Sequence, residues 1–145
     1  MTRRFPALSL AVAVAIALAL GTTGCSSGGS NKLAGAVYAS HVPVYSPATF
    51  DGQMGGTSYG DTPEETSEGQ SWFFKTDQPM DQVLAFYEKN LTGWTRTEDH
   101  DGDGPYVTFT HTPEGAEKDE NVQVIVSQGR VQISESYRPG KIKTS

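Results

Sequence analysis

The spacing of apolar positions changes along this chain, from a continuous run near the start to helical spacing and then to alternation. The helical stretch lies over residues 78–91, where apolar residues follow the first one at intervals of 3, 4, 7 and 11. Such spacing places one apolar stripe along a helix. Asp77 can cap the first turn, and Gly93 stands where a left-handed backbone commonly ends a helix. The predicted apolar face consists of Met80, Val83, Leu84, Tyr87 and Leu91.

Aromatic-rich and alternating segments predict strands on both sides of this helix. An aromatic run at residues 71–76 precedes it, and apolar–polar alternation follows it in segments separated by turn residues. One strand before a single helix and four after it favour an α+β fold. We expect an antiparallel sheet of about five strands with the helix packed on one face. The four later strands are predicted at residues 94–98, 106–111, 122–126 and 131–137.

Two segments before residue 71 lack a clear period. Residues 41–47 contain two prolines, which exclude an interior strand and favour an extended edge that places Val42, Val44 or Tyr45 on the core. Residues 51–70 contain five glycines and several acidic residues, which indicate a long irregular loop. Loops of that length tend to be functional or disordered.

The apolar run near the start has the composition of a secretory signal. Arg3 and Arg4 precede a charge-free stretch over residues 7–20, which is shorter than the ~20 residues that a spanning helix needs. Small residues and then Cys25, the one cysteine of the chain, follow it. Gly24 and Cys25 resemble the lipobox of bacterial lipoproteins, although Thr22 stands where leucine is commoner.

The lipobox resemblance implies a location and an anchor. Cleavage would remove residues 1–24 as a signal peptide and leave Cys25 for lipid attachment, on the extracytoplasmic side of a bacterial cell membrane. Lipoprotein cysteines carry at least a diacylglyceryl group, and two acyl chains are sufficient for stable anchoring. The alternative is a plain secretory peptide cleaved near Thr23 or Gly24, which would leave Cys25 as a free thiol.

The rest of the chain divides into three predicted parts. Residues 25–40 begin with a Gly/Ser-rich stretch and are expected to form a flexible tether. Residues 41–137 are expected to form a single α+β domain, and residues 138–145 a frayed basic tail. Without Arg3 and Arg4, nine of the eleven basic residues remain against 17 acidic ones, a net charge near −8. That balance argues against nucleic acid as a partner and favours basic partners or cations.

A short pattern at the end of the predicted helix carries a second resemblance. Phe86, Tyr87, Leu91, Gly93 and Trp94 form a motif that resembles one of small exported bacterial domains of uncharacterised function. The resemblance covers about residues 42–137. It supplies no catalytic residue.

An acidic segment between two predicted strands has the spacing of a calcium loop. Asp99, Asp101 and Asp103 alternate before Gly104, as in the first half of an EF-hand loop, where carboxylates converge on a hard cation. The twelfth position is Thr110 instead of a bidentate glutamate, and the flanks are predicted strands rather than helices. A weak calcium site stays open, but a solvated hairpin turn is favoured, because Asp and Gly suit such turns.

No other motif selects a reaction or a cofactor. His41, His100 and His111 lack zinc-ligand spacing, and the sequence contains no nucleophile elbow and no phosphate-binding loop. The sequence thus predicts a membrane-anchored binding or structural module without a cofactor, whose partners are the membrane, through its lipid, and an envelope protein. The alternatives are an enzyme or enzyme accessory subunit with a site under residues 51–70, and a weak calcium-binding module through residues 99–103.

Overall fold

The fold was analysed on a computed structural model that describes residues 33–59, 62, 65–117 and 119–139. The apolar run, Cys25 and the tail after residue 139 lie outside these residues. A short 3₁₀ helix at Ala39–His41 comes first. It is followed by β1 (Thr49–Ser58), β2 (Ser67–Lys75), α1 (Met80–Asn90), β3 (Thr95–Asp101), β4 (Gly104–His111), β5 (Asn121–Ser127) and β6 (Arg130–Tyr137).

The strands form one antiparallel sheet with the order β1-β2-β6-β5-β4-β3. The last strand therefore lies in the middle of the sheet, between β2 and β5, while β1 and β3 are the two edges. The expected antiparallel α+β architecture is confirmed. The described chain has six strands rather than about five, because a second strand precedes the helix.

The additional strand lies in the segment that was expected to be an irregular loop. β1 pairs with β2 from Thr49 opposite Lys75 to Ser58 opposite Ser67, with one irregularity between Phe50 and Gly52. The loop expectation for residues 51–70 is therefore wrong for most of the segment. Almost every residue of β1 is exposed, so no buried face produced the alternation by which a strand is recognised.

Helix α1 was predicted correctly within two residues, and its apolar stripe faces the sheet. Val83 and Tyr87 are fully buried, and Leu91 is buried just after the last turn, whereas Met80 and Leu84 are half-buried. The Tyr87 hydroxyl accepts a hydrogen bond from the backbone N–H of Tyr45 at 3.3 Å. Burial raises the pKa of Tyr87 to about 12, because the phenolate would lose its hydration there.

The residues before position 41 cover the part of the sheet that the helix leaves free. Leu33 and Ala39 belong to the core, and the Trp72 indole N–H donates to the Ala34 carbonyl at 3.3 Å. Residues 33–40 thus belong to the folded domain through Leu33 and Ala39, and the tether expected over residues 25–40 is wrong for this stretch. Val42 and Tyr45 are also buried, as predicted for the extended segment.

The frayed tail expected over residues 138–145 is wrong for Arg138. The Arg138 backbone N–H donates to the buried Glu120 carboxylate at 2.7 Å, and its guanidinium pairs with Asp119. Arg138 is therefore held against the loop before β5. This contact could not be predicted from the sequence, because Asp119 and Glu120 lie 19 and 18 positions from Arg138 along the chain.

The core lies on one face of the sheet, which we call the covered face. Its residues are contributed by the four central strands and are closed over by α1 and by residues 33–45. No helix of the described residues is long and apolar enough to cross a membrane. The sheet residues of the covered face include Trp72, Phe74, Val107, Phe109, Val122, Val124, Val126, Val131 and Ile133.

Candidate functional site

The opposite side of the sheet, which we call the open face, has none of the described helices packed on it. Its side chains come from the alternate positions of the same strands, so most of them are half-buried among their neighbours. The strand register aligns them in rows that cross the sheet. One row contains Lys75, Arg130, Ser127, Tyr106 and Asp99, and the next contains Phe73, Gln132, Ile125, Thr108 and Thr97.

A groove of about 710 Å³ lies on this face, at the end of the sheet near the β5–β6 turn. Tyr106, Ile125 and Gln132 are among its lining residues, together with Lys75 and Arg130. Aromatic, aliphatic, amide and hydroxyl groups therefore stand side by side in a shallow concave surface. This mixture is typical of surfaces that contact another molecule, since apolar contact and hydrogen bonding are available together.

The charges along the first row of the open face change sign from one end to the other, and Asp77 lines the groove beside Lys75 at the basic end. Lys75 and Arg130 lie opposite each other on β2 and β6, whereas Asp99 and Asp101 lie on β3. Lys75 forms an ion pair with Asp51 at 2.6 Å, while no ion pair of Arg130 occurs among the described residues. Three strand steps separate Arg130 from Asp99 along the row, or about 14 Å at ~4.8 Å per step.

Tyr106 stands between these charges. The negative charge of Asp99, followed by loss of hydration and by Asp101, raises the pKa of the Tyr106 phenol above its ordinary value. The phenol therefore stays neutral and can donate or accept a hydrogen bond across the ordinary range of pH. Tyr106 lies between the acidic end of the row and its half-buried central residues.

The acidic segment forms a hairpin rather than a separate loop. β3 continues to Asp101, so Asp99 and His100 are strand residues, and the turn is confined to Gly102 and Asp103. The Asp101 carboxylate accepts the backbone N–H of Asp103 at 2.9 Å, which stabilises the turn. Among the described residues, no group of three acidic, histidine or cysteine side chains is arranged to hold a metal ion. The calcium site at Asp99, Asp101 and Asp103 stays a prediction.

The three histidines lie in separate places. His41 ends the 3₁₀ helix, His100 is on β3, and His111 ends β4. The His111 ring stacks on Trp94 with their centroids 5.2 Å apart. The structure therefore does not bring the histidines together.

The described part of residues 51–70 borders two concave places. One is a wide, open depression of about 380 Å³ at the Ser58 and Ser67 ends of β1 and β2, where Glu68 is the one charged residue of the described lining. The other, a cavity bounded by β1 and β2 near Gln53, Gln70 and Trp72, measures only about 20 Å³. That volume is sufficient for one water molecule and not for an organic substrate. The larger groove lies at the opposite end of β2.

Sequence reasoning singled out the acidic residues of this site but not its centre. Tyr106, Gln132 and Arg130 looked like the polar partners of buried strand positions. Ile125 was the available signal, since it is apolar at a position whose neighbours Val124 and Val126 both point to the covered face. An apolar residue on the polar side of an alternating strand marks a surface that excludes some water.

Comparisons of the chain with protein-family models, with curated proteins and with solved structures found no match. The functional argument therefore depends on the residues of the chain itself.

Proposed function

We propose that this protein is a lipid-anchored binding module on the extracytoplasmic side of a bacterial cell membrane. The anchor is supported by the sequence of the first 25 residues, in which a basic start, a short apolar run and small residues precede Cys25. Lipid attachment gives the single thiol of the chain, Cys25, a function. Residues 26–32 then connect Cys25 to Leu33, the first described residue of the core.

The open face supports a binding role. The observation that carries it is the position of Tyr106 and Ile125 in a groove of about 710 Å³ on the side of the sheet that the described helices leave uncovered. Apolar and aromatic groups at the centre of a polar surface are the usual anchors of a protein interface. The surrounding threonines, serines and glutamines provide hydrogen bonds without a net charge.

The occupant that fits this groove is an extended segment of an envelope protein. An extended chain rises about 3.3 Å per residue, so two of its residues about four positions apart span the ~14 Å between Arg130 and Asp99. The segment would place an acidic side chain near Arg130 and a basic one near Asp99 and Asp101. Apolar residues between them would contact Ile125 and Tyr106. No observation on the described residues favours an enzyme over this function.

Photocrosslinking in the intact bacterium tests this proposal. A photoreactive amino acid placed at Gln132, in the centre of the open face, is expected to join the protein to one defined envelope protein on illumination. The same amino acid at Gln82, an exposed position of α1 on the other side of the molecule, is the matched control and is expected to give no such product. Equal products from both positions, or none from Gln132, would contradict the proposal.

A further inference from the structure

The two edge strands of the sheet differ in their exposed apolar side chains, and this difference has no part in the groove. All three of the large apolar side chains that stand exposed among the described residues lie within residues 50–59, on or just after edge strand β1. They are Phe50 at 53%, Met54 at 66% and Tyr59 at 84% exposure. Exposed apolar groups concentrated on one element mark an interaction surface.

Edge strand β1 has few of the features by which proteins prevent edge-to-edge pairing, since its one irregularity, between Phe50 and Gly52, lies near the start of the strand. It is ten residues long and contains no proline. Its one charged residue, Asp51, is neutralised by Lys75 at 2.6 Å. The opposite edge, β3, is protected by charges, including Arg96, which bridges Glu88 and Glu98. The charges of β3 thus disfavour pairing with another strand, whereas β1 remains available for it.

We infer that β1 pairs with the β1 strand of a second copy of this chain, in antiparallel orientation about a two-fold axis near Met54. An open edge presents a row of backbone donors and acceptors that another strand can complete. A second copy fits because the strand is complementary to itself: in this register Met54 meets its own counterpart, Gln53 meets Gly55 and Gly52 meets Gly56. Gln53, the larger side chain next to the centre, therefore faces a glycine in each copy.

The charges on β1 itself are compatible with a second copy at this edge. The chain carries more acidic than basic residues, so two copies repel each other over most of their surfaces. β1 is a place where they can approach without like charges opposite each other, since Asp51 is already paired. β1 carries no unpaired charge that would attract a strongly charged segment of another protein. The result is one continuous sheet with six strands from each copy.

Cysteine crosslinking in membranes of the producing bacterium tests this pairing. Residues directly opposite each other on antiparallel strands have Cα atoms about 4.5–5.5 Å apart, within the range of a disulfide. The full-length variant Met54→Cys is therefore expected to form a disulfide-linked dimer on mild oxidation. The parent chain, which contains Cys25, and the variant His100→Cys on the β3 edge are the controls and are expected to remain monomeric. No dimer of Met54→Cys above these controls, or a crosslink to a different protein, would overturn the inference.

Co-purification of two differently tagged full-length copies supplies a second readout. Met54→Lys in both copies places two like charges opposite each other at the two-fold axis, so co-purification is expected to be lost. Thr97→Lys on β3 is the matched control and is expected to keep it. Because both positions are exposed, circular dichroism should show an unchanged fold for each variant. Undiminished co-purification of Met54→Lys would contradict the pairing.

Discussion

The Glu135 carboxylate lies 2.7 Å from the backbone nitrogen of Ala39, although the two residues are 96 positions apart in the chain. The same carboxylate accepts the backbone N–H groups of Val37 at 2.9 Å and Tyr38 at 2.7 Å. Three successive donors thus converge on one side chain that is only 3% exposed. This contact fixes the residues before β1 onto the covered face, where Leu33 and Ala39 complete the core.

Removal of this acceptor should destabilise the fold. Glu135→Ala leaves one buried and two half-buried backbone donors without this partner, so we expect the free energy of unfolding to fall by about 3 kcal/mol. Glu135→Gln keeps one acceptor oxygen and should cost less. Urea unfolding of the purified protein measures both values. Equal, near-zero losses would mean that residues 37–39 are not held by this carboxylate.

The two isoleucines at the centre of the sheet should respond differently to the same substitution. Ile133 is fully buried on the covered face, so Ile133→Ala should cost about 2–5 kcal/mol of stability. Ile125 is half-buried on the open face, so Ile125→Ala should cost less and should instead weaken partner crosslinking at Gln132. Thermal unfolding together with the crosslinking yield separates the two effects. A reversed order of stabilities would mean that the faces are assigned wrongly.

Stability should decline at alkaline pH because of Tyr137. Its hydroxyl donates to the Glu68 carboxylate at 2.7 Å, and this bond, aided by burial and by the charge of Glu68, raises the pKa of Tyr137 to about 12 from an ordinary 10.0. The folded state therefore favours the neutral phenol. The resulting stability is fully present below about pH 10 and is lost as the pH rises towards 12.

Urea unfolding between pH 9 and pH 12 measures this effect. Tyr137→Phe should show a shallower decline than the parent, and Glu68→Gln, which keeps the side-chain size but removes the charge, should do the same. Both variants should be less stable than the parent at neutral pH, since the hydrogen bond is weakened or lost. Parallel declines in all three proteins would contradict this role of the Tyr137–Glu68 pair.

The acidic hairpin should not respond specifically to calcium. Asp101 is engaged with its own turn, and the twelfth position of the motif is Thr110. We expect calcium near 1 mM to raise the melting temperature no more than salt of equal ionic strength, whereas a site at a hundredfold excess over Kd would add about 2.7 kcal/mol. A calcium-specific rise that disappears in Asp101→Asn with Asp103→Asn would make cation binding the leading function.

The elements with a buried stripe could be predicted from the sequence, and those without one could not. Val83, Tyr87 and Leu91 marked α1 because helical spacing and burial coincide there. The alternating valines of β5 likewise marked their strand. β1 escaped because it is held by backbone pairing at an exposed edge, and pairing of that kind leaves no trace in the hydrophobic pattern.

Long-range contacts account for the other errors. Leu33 and Ala39 looked like part of a spacer because they follow a Gly/Ser-rich stretch, and their burial depends on Glu135 at the far end of the chain. The candidate site also depends on residues that are distant from one another in the chain. Lys75, Arg130 and Asp99 come from three strands, and only the sheet order places them along one row.

The most direct test of the proposed anchor is the intact mass of the protein isolated from the membrane fraction of the producing bacterium. We expect a chain that begins at Cys25 and carries at least a diacylglyceryl group, and we expect Cys25→Ala to leave the membrane fraction or to accumulate as the uncleaved precursor. A wild-type protein that is wholly in the soluble fraction with an unmodified Cys25 thiol would contradict the account.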